Sequence, residues 1–509
     1  MEIELTGQNV TIEQVWTVAN GGTKVALAKR AREKMQKSRD YIEKRILAGE
    51  VMYGVNTGFG SFSSVRISES QIEELQRNLI RSHCVGIGDP FTANQTKAIM
   101  FLRANALANG HSGIRPAVVE KILEFLNADI IPYIPCQGSV GASGDLAPLS
   151  HLALALMGEG TVWSADGKPV STSGELNKKS IQPLVLKAKE GLSLINGCQV
   201  MTAVGMLATY RAKNLLRLAD VSASMSLEAL RGSRKAFDPL IAPTRAHPGE
   251  AKTAANMRLI LGEKSNISDS HENCNKVQDA YSLRCIPAVH GAAKDAINGV
   301  VKTLEIEANS STDNPLVFVD ENKILSCGNF HGEPVAFAMD FSAIAISAIG
   351  SISECRIEKL INPAMSDLPA FLTQNGGLNS GHMIVQVAAA SLVSENKILS
   401  HPASVDSIPT SADKEDHVSM GTIAARKFSK IIENCENIIA MELLSACQGL
   451  DLLKPLEPTG IVAEVYSIVR SKVPFADKDR VFSDDIAEIR KLIQSEKILT
   501  FAHSLELLV

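Results

Sequence analysis

Apolar side chains recur at three- and four-residue spacing through most of the chain, the period of a helix with one buried face. In residues 69–83, ESQIEELQRNLIRSH, that spacing puts Ile72, Leu75, Leu79 and Ile80 on one face with charges opposite, and predicts a helix. The stretch 93–109 continues the pattern with Ile99, Met100, Leu102, Ala106 and Leu107. Longer Ala- and Leu-rich segments at 186–230, 287–308, 334–362, 383–400 and 421–450 predict long helices, punctuated at Pro287, Pro315, Pro363 and Pro402. Strand-like alternation is scarce and short; Pro315 to Val319, ahead of an Asp-Glu-Asn turn, is an example. The most apolar window, Val335 to Ile352, is interrupted by Asp340. The remainder falls short of the ~20 residues that cross a bilayer, so it reads as a buried bundle helix. No repeat, low-complexity tract or Gly/Ser linker breaks the chain. The expected class is mostly α, a bundle of long helices.

Composition narrows the function more than the fold. A chain of 509 residues suggests two to four folding units by length alone. Its 51 Lys and Arg against 56 Asp and Glu give a net charge of −5, which excludes polyanion binding through bulk charge. Apolar residues reach 45% with aromatics at only 5%, so the core is built from Ala, Leu, Ile, Val and Met, and disorder is excluded. Nine cysteines, scattered and never spaced C-x-x-C, argue against a disulfide framework or zinc ribbon and for a reducing compartment. The opening MEIELTGQNV has neither the basic n-region nor the apolar h-region of a secretion signal. The expectation is a cytoplasmic protein with no nucleic-acid or membrane partner.

Candidate chemistry gathers in Gly-rich loops: YGVNTGFG at 53–60, GSVGASGD at 138–145, SCGNFHGEP at 326–334 and NGGLNSGHM at 375–383. Familiar signatures fail there. Residues 141–145 lack the last Gly of a nucleophile elbow, because Asp145 stands in its place. Residues 54–60 sit in no βαβ unit, and no phosphate-loop motif occurs. His271-Glu272 begins a zinc-protease motif that Asn275 breaks. Glu415, Asp416 and His417 are consecutive and would diverge on a helix, so no metal is expected there. Ala142-Ser143-Gly144 is different, because Gly144 presents an unhindered backbone nitrogen. In a strained turn that nitrogen can attack the Ala142 carbonyl, and loss of water, including the Ser143 hydroxyl, leaves a ring with an exocyclic methylene. Such an electrophile is one no ordinary side chain provides.

GSVGASGDLAPLSH at 138–151 resembles the signature of the aromatic amino acid ammonia-lyase family. YGVNTGFG at 53, SHCVGIG at 82, INGCQ at 195, VQDAYSLR at 277, STDNPLVF at 311, GNFHGEP at 328 and SADKEDHVSM at 411 resemble further family blocks in the same order. The resemblance implies the ammonia-lyase and fumarase-like helical fold, with a smaller N-terminal region carrying the loop, approximately 1–200, and a helical bundle over approximately 201–509. The two are expected to act as one integrated unit, in a homotetramer with shared active sites.

The histidine-acting branch is the nearest match. It implies elimination of ammonia from L-histidine to give trans-urocanate, through the 4-methylidene-imidazole-5-one (MIO) that Ala142, Ser143 and Gly144 form without external cofactor or metal. Tyr53 matches the catalytic tyrosine that takes the β-proton, and Gly54, Gly58 and Gly60 would let its loop close. Arg284 matches the clamp for the α-carboxylate, and Asn196, Gln278, Tyr281 and Phe330 match pocket positions. Ser82-His83 replaces the apolar or His-Leu pair of phenylalanine and tyrosine members, and Glu415 replaces their usual Gln. Together His83 and Glu415 suit an imidazole substrate, with Glu415 as binder, base or both. His382, Cys327, Cys198 and Asp413-Lys414 depart from the commoner family pattern, and His382 is an extra titratable group. Cys84 is expected beside the pocket. Competing expectations are a tyrosine ammonia-lyase or an aminomutase using the same group, and a catalytically silent helical scaffold.

Overall fold

The computed structural model describes residues 2–58, 65–262, 264–272 and 277–500. The chain forms two compact units, each assembled from separated segments. The first comprises Met1–Tyr210, Val301–Asp340 and Pro402–Arg426; the second comprises Arg211–Val300, Phe341–His401 and Lys427–Val509. Where sequence resemblance sets one boundary near residue 200, the contacts interleave the chain three times.

In the first unit the central helix is Ala93–Ala108, buried on every side from Ala98 to Ala108, and it packs against Ile12–Asn20 and Pro116–Asn127. Its amino terminus is closed by a capping box in which Thr92 and Gln95 exchange hydrogen bonds. Small residues at 98, 104, 106 and 108 let those neighbours approach closely. The helix expected at 69–83 is Ile72–His83 after a short 3₁₀ turn, with Ile72, Gln76, Leu79 and Ile80 buried. Strands are few. Glu2–Leu5 pairs in parallel with Lys24–Leu27, and Ile131–Pro132, Thr161–Trp163 and Pro169–Ser171 form an antiparallel sheet. The strand read at 315–319 is Leu316–Phe318, paired with Lys323–Leu325.

The continuous helix expected over 186–230 is broken. Glu190–Ile195 ends at Asn196, whose backbone is extended, and Gln199–Ala229 begins three residues later. Gly197 between them has φ +154°, and a Cβ there would run into the Arg103 guanidinium and the Gln199 and Thr312 side chains. Arg103, buried on the central helix, donates to the carbonyl oxygens of Ser193 and Asn196 and to Gln199 Oε1, satisfying the groups the break exposes. Burial lowers its guanidinium to about 10.

The second unit is helical throughout its core and holds two buried charge clusters. Asp220 accepts from His290 Nδ1 at 2.8 Å, from Asn256 Nδ2 at 2.7 Å and from Lys294. Arg356 forms a two-pronged pair with Glu442, at 2.5 and 2.9 Å, while Ser222, Ser226 and Ser353 donate to the same carboxylate. Arg356 lies on Glu333–Ile361, which among the described residues is the one helix long and apolar enough, by length and composition, to cross a membrane. Its ion pair inside the unit marks it as a core helix.

Candidate active site

The loop 138–145 is held in place by backbone bonds from three sides. Gly332 N donates to Gly141 O at 3.2 Å, Met420 N to Val140 O at 2.8 Å, and Asp145 N to Gly197 O at 2.8 Å. Gly144 sits at φ +71° and pairs with Gly197, so close that a Cβ would collide with the Gly197 backbone. Helix Leu146–Leu156 begins immediately after. The Asp145 side chain does the rest of the anchoring. It accepts from Ser139 Oγ at 2.9 Å, from Thr422 Oγ1, and from the backbone nitrogens of Val200 and Met201 at 3.0 and 2.9 Å, where helix Gln199–Ala229 starts. Burial raises the Asp145 carboxyl above its ordinary range, against the pull of these four donors.

This framework presents Ser143 to a cavity of about 820 Å3, lined by Tyr53, His83, Asn196, Phe330 and Glu415 among others, with Ala142 beside Ser143. Ala142 is buried against Val418 and Met420. Ser143 Oγ donates to Glu415 Oε1 at 2.5 Å, and Thr410 Oγ1 donates to Glu415 Oε2 at 2.7 Å. Glu415 is presented by a tight loop, Ser411-Ala412-Asp413, with all three residues at positive φ and Thr410 bridged to Glu415. Asn196 Nδ2 donates to the Ser143 carbonyl oxygen at 2.9 Å, and its buried Oδ1 has no partner. That helix break therefore turns Asn196 toward Ser143.

His83 ends helix Ile72–His83, with Nδ1 2.8 Å from the Leu79 carbonyl oxygen and 3.1 Å from Ser82 Oγ. A carbonyl only accepts, so Nδ1 carries the proton and the neutral ring keeps Nε2 as acceptor. Burial lowers the His83 pKa; the Leu79 bond and the charge of Glu415 partly oppose that. Tyr53 lies in a turn where Gly54 has φ +71° and Gly54 N donates to Thr57 Oγ1 at 3.2 Å. Gly60, expected to take part in closure of that loop, lies outside the described residues.

Seven of the expected residues thus meet around one cavity: Tyr53, His83, Ala142, Ser143, Asn196, Phe330 and Glu415, with Gly144 fixed behind them. Gln278, Tyr281 and Arg284 belong to the second unit and are not among the lining residues. There Tyr281 is 71% exposed, the Arg284 guanidinium stacks 4.4 Å from its ring centre, and Arg284 Nε donates to the Asp279 carbonyl oxygen at 3.2 Å. His382 also lies in the second unit, buried, bonded to Ser445 at 3.1 Å, and lowered to about 3 by burial, so it stays neutral. Cys84 does not line the cavity, and burial pushes its thiol up to about 12. Arg103, Asp145 and Thr410 are supports that sequence reasoning missed. Asp145 carried one signal, an acid immediately after the loop and before a helix.

The model of the aromatic amino acid lyase family matches residues 10–471. Histidine ammonia-lyase of Myxococcus xanthus is 48% identical over 503 residues, covering 99% of this chain and 98% of that protein. Among solved structures, histidine ammonia-lyase from Trypanosoma cruzi superposes with a TM-score of 0.92 at 45% identity, covering 98% of this chain and 94% of that one. Tyrosine aminomutase from Streptomyces globisporus also gives 0.92, at 38% identity and 98% coverage of each chain.

Proposed function

The chain belongs to the aromatic amino acid lyase family, and from that premise we propose that it eliminates ammonia from L-histidine to give trans-urocanate. The observation that carries the reading is His83 and Glu415 on the same cavity as Ser143, an acceptor nitrogen and a carboxylate suited to an imidazole. The full-length likeness to histidine ammonia-lyases supports the same substrate.

The residues present fit the MIO group. Gly144 holds a positive φ that a side chain would oppose, its nitrogen belongs to a pinned loop, and Asn196 Nδ2 already donates to the Ser143 carbonyl oxygen. Formed from Ala142, Ser143 and Gly144, that group supplies an electrophile for the substrate amine. Tyr53 takes the β-proton, the carbon–nitrogen bond breaks as the double bond of urocanate forms, and the proton taken up passes to the nitrogen, which leaves as ammonia. Nε2 of His83 accepts from the imidazole N–H, and Glu415 stabilises the ring when it is protonated. Phe330 supplies an apolar wall, and Asn196 Oδ1 offers a buried acceptor to the substrate.

We assign the α-carboxylate to Arg284 of the partner subunit, with Gln278 and Tyr281 of the partner subunit beside it, in a soluble cytoplasmic homotetramer. The exposure of Tyr281 leaves that segment available to a neighbour. Incubation with L-histidine and L-tyrosine separately, with free ammonia and the organic product measured together, tests the reading. Equimolar ammonia and urocanate from histidine is the expected result. A β-amino acid without ammonia would assign an aminomutase, and faster release from tyrosine would move the chain to the tyrosine enzymes.

A further inference from the structure

Consecutive Glu415, Asp416 and His417 are poor metal ligands by spacing, but the fold brings His417 to two residues far away in sequence. His331 Nδ1 lies 3.8 Å from Glu333 Oε2, and His417 Nε2 lies 3.6 Å from the same oxygen. One ligand atom from each residue falls within 4.8 Å of the others. All three residues line the cavity that Ser143 faces. We propose that His331, Glu333 and His417 form a site for one divalent ion of the zinc class, with its fourth position open to the cavity.

Three features of the group point to a cation. Glu333 Oε2 is buried without a hydrogen-bond partner, although two imidazoles face it. His331 Nε2 lies 3.2 Å from the His417 carbonyl oxygen, which only accepts, so Nε2 carries a proton and Nδ1 is the nitrogen turned toward Glu333 and able to bind a metal ion. A ring nitrogen bonded to a carbonyl while the other faces the ion is the usual outer support of a histidine ligand. A carboxylate oxygen facing two imidazole nitrogens requires a positive charge between them, supplied by protons on the rings or by one metal ion. The spacing also fits. Zinc bonds of about 2.0–2.2 Å in a tetrahedron give ligand separations of about 3.4 Å, so the two contacts to Glu333 close by a few tenths of an ångström, and the two imidazole nitrogens, within 4.8 Å of each other, approach by at most about 1.4 Å through rotation of the exposed His417 ring. The two imidazole rings are parallel, 5.7 Å apart, and each can turn one nitrogen toward the carboxylate. Two His and one carboxylate with an open position match zinc ahead of calcium or magnesium, which prefer oxygen. The turn is fixed, because Gly332 between His331 and Glu333 is tied to Gly141.

The inference is independent of the lyase reading, since metal uptake is measured without substrate. Metal-stripped full-length protein is dialysed to equilibrium against Zn2+, beside His331→Ala, His417→Ala and Glu333→Gln. His417 is exposed, so its replacement leaves the core intact. Zinc held by cysteines is common to all four proteins and cancels. The wild type is expected to hold one more Zn2+ per chain than each variant, with site affinity falling at least ~10-fold on each substitution. Zn2+ is also expected to raise the melting temperature of the wild type above its effect on His417→Ala. Equal uptake by all four proteins, or none by the wild type, would overturn the proposal and leave an ion-pair cluster of protonated imidazoles.

Discussion

Ser143 is positioned by what surrounds it. Its hydroxyl, which ring formation expels as water, is committed to Glu415, and its carbonyl, which ring formation retains, to Asn196, so each is engaged by a different segment of the chain. Asn196→Ala removes the donor at the carbonyl and the buried acceptor beside it. A preorganised donor of this kind is worth about 10²–10³-fold in kcat, and a loss of that order is expected in steady-state assays, with the fold intact by circular dichroism. His83→Leu is expected to reduce turnover of histidine and to improve tyrosine relative to it, because the ring loses its acceptor nitrogen. An unchanged preference in competition assays would remove His83 from substrate choice.

At the scale of elements, the long helices were legible because their apolar spacing is strong. The expected 287–308, 334–362 and 383–400 are observed as Ile286–Ala308, Glu333–Ile361 and Met383–Leu399. The break at 196–198 was not legible, because Ala- and Leu-rich sequence continues on both sides of it and its cause is Arg103, nearly a hundred residues earlier. Polar supports of that kind leave no period in the sequence. Family resemblance pointed to seven residues that share the cavity and to three, Gln278, Tyr281 and Arg284, that do not line it, whereas charge and composition pointed to none. Gly197→Ala tests the break itself. A side chain at φ +154° against Arg103, Gln199 and Thr312 costs of order 1–3 kcal/mol, expected as a lower melting temperature, with activity falling more than stability because Asn196 is displaced.

For the molecule as a whole, stability rests on buried charge as well as apolar packing. Replacing Arg356 with Met leaves Glu442 buried and unpaired, with an expected loss of about 3–5 kcal/mol in denaturant unfolding. His382 sets a pH dependence of known sign. Its folded pKa is about 3 against an ordinary 6.5, so the unfolded chain binds the proton more readily between those values. The stability it contributes is complete above about 6.5 and is lost as pH falls toward about 3. His382→Phe is therefore expected to flatten the acid side of the melting-temperature profile. An acid side as steep as in the wild type would show that other groups set it. Phe341, Ile344, Ile384 and Val387, all in the second unit, are exposed large apolar side chains of the sort that a partner copy covers.

The account turns on Ala142-Ser143-Gly144 acting on histidine, and one measurement addresses both halves: urocanate release from L-histidine, followed in the near ultraviolet for the wild type beside Ser143→Ala. Steady release by the wild type and background from the variant is the predicted result. Full-rate release from Ser143→Ala, or none from a folded wild type, would contradict it.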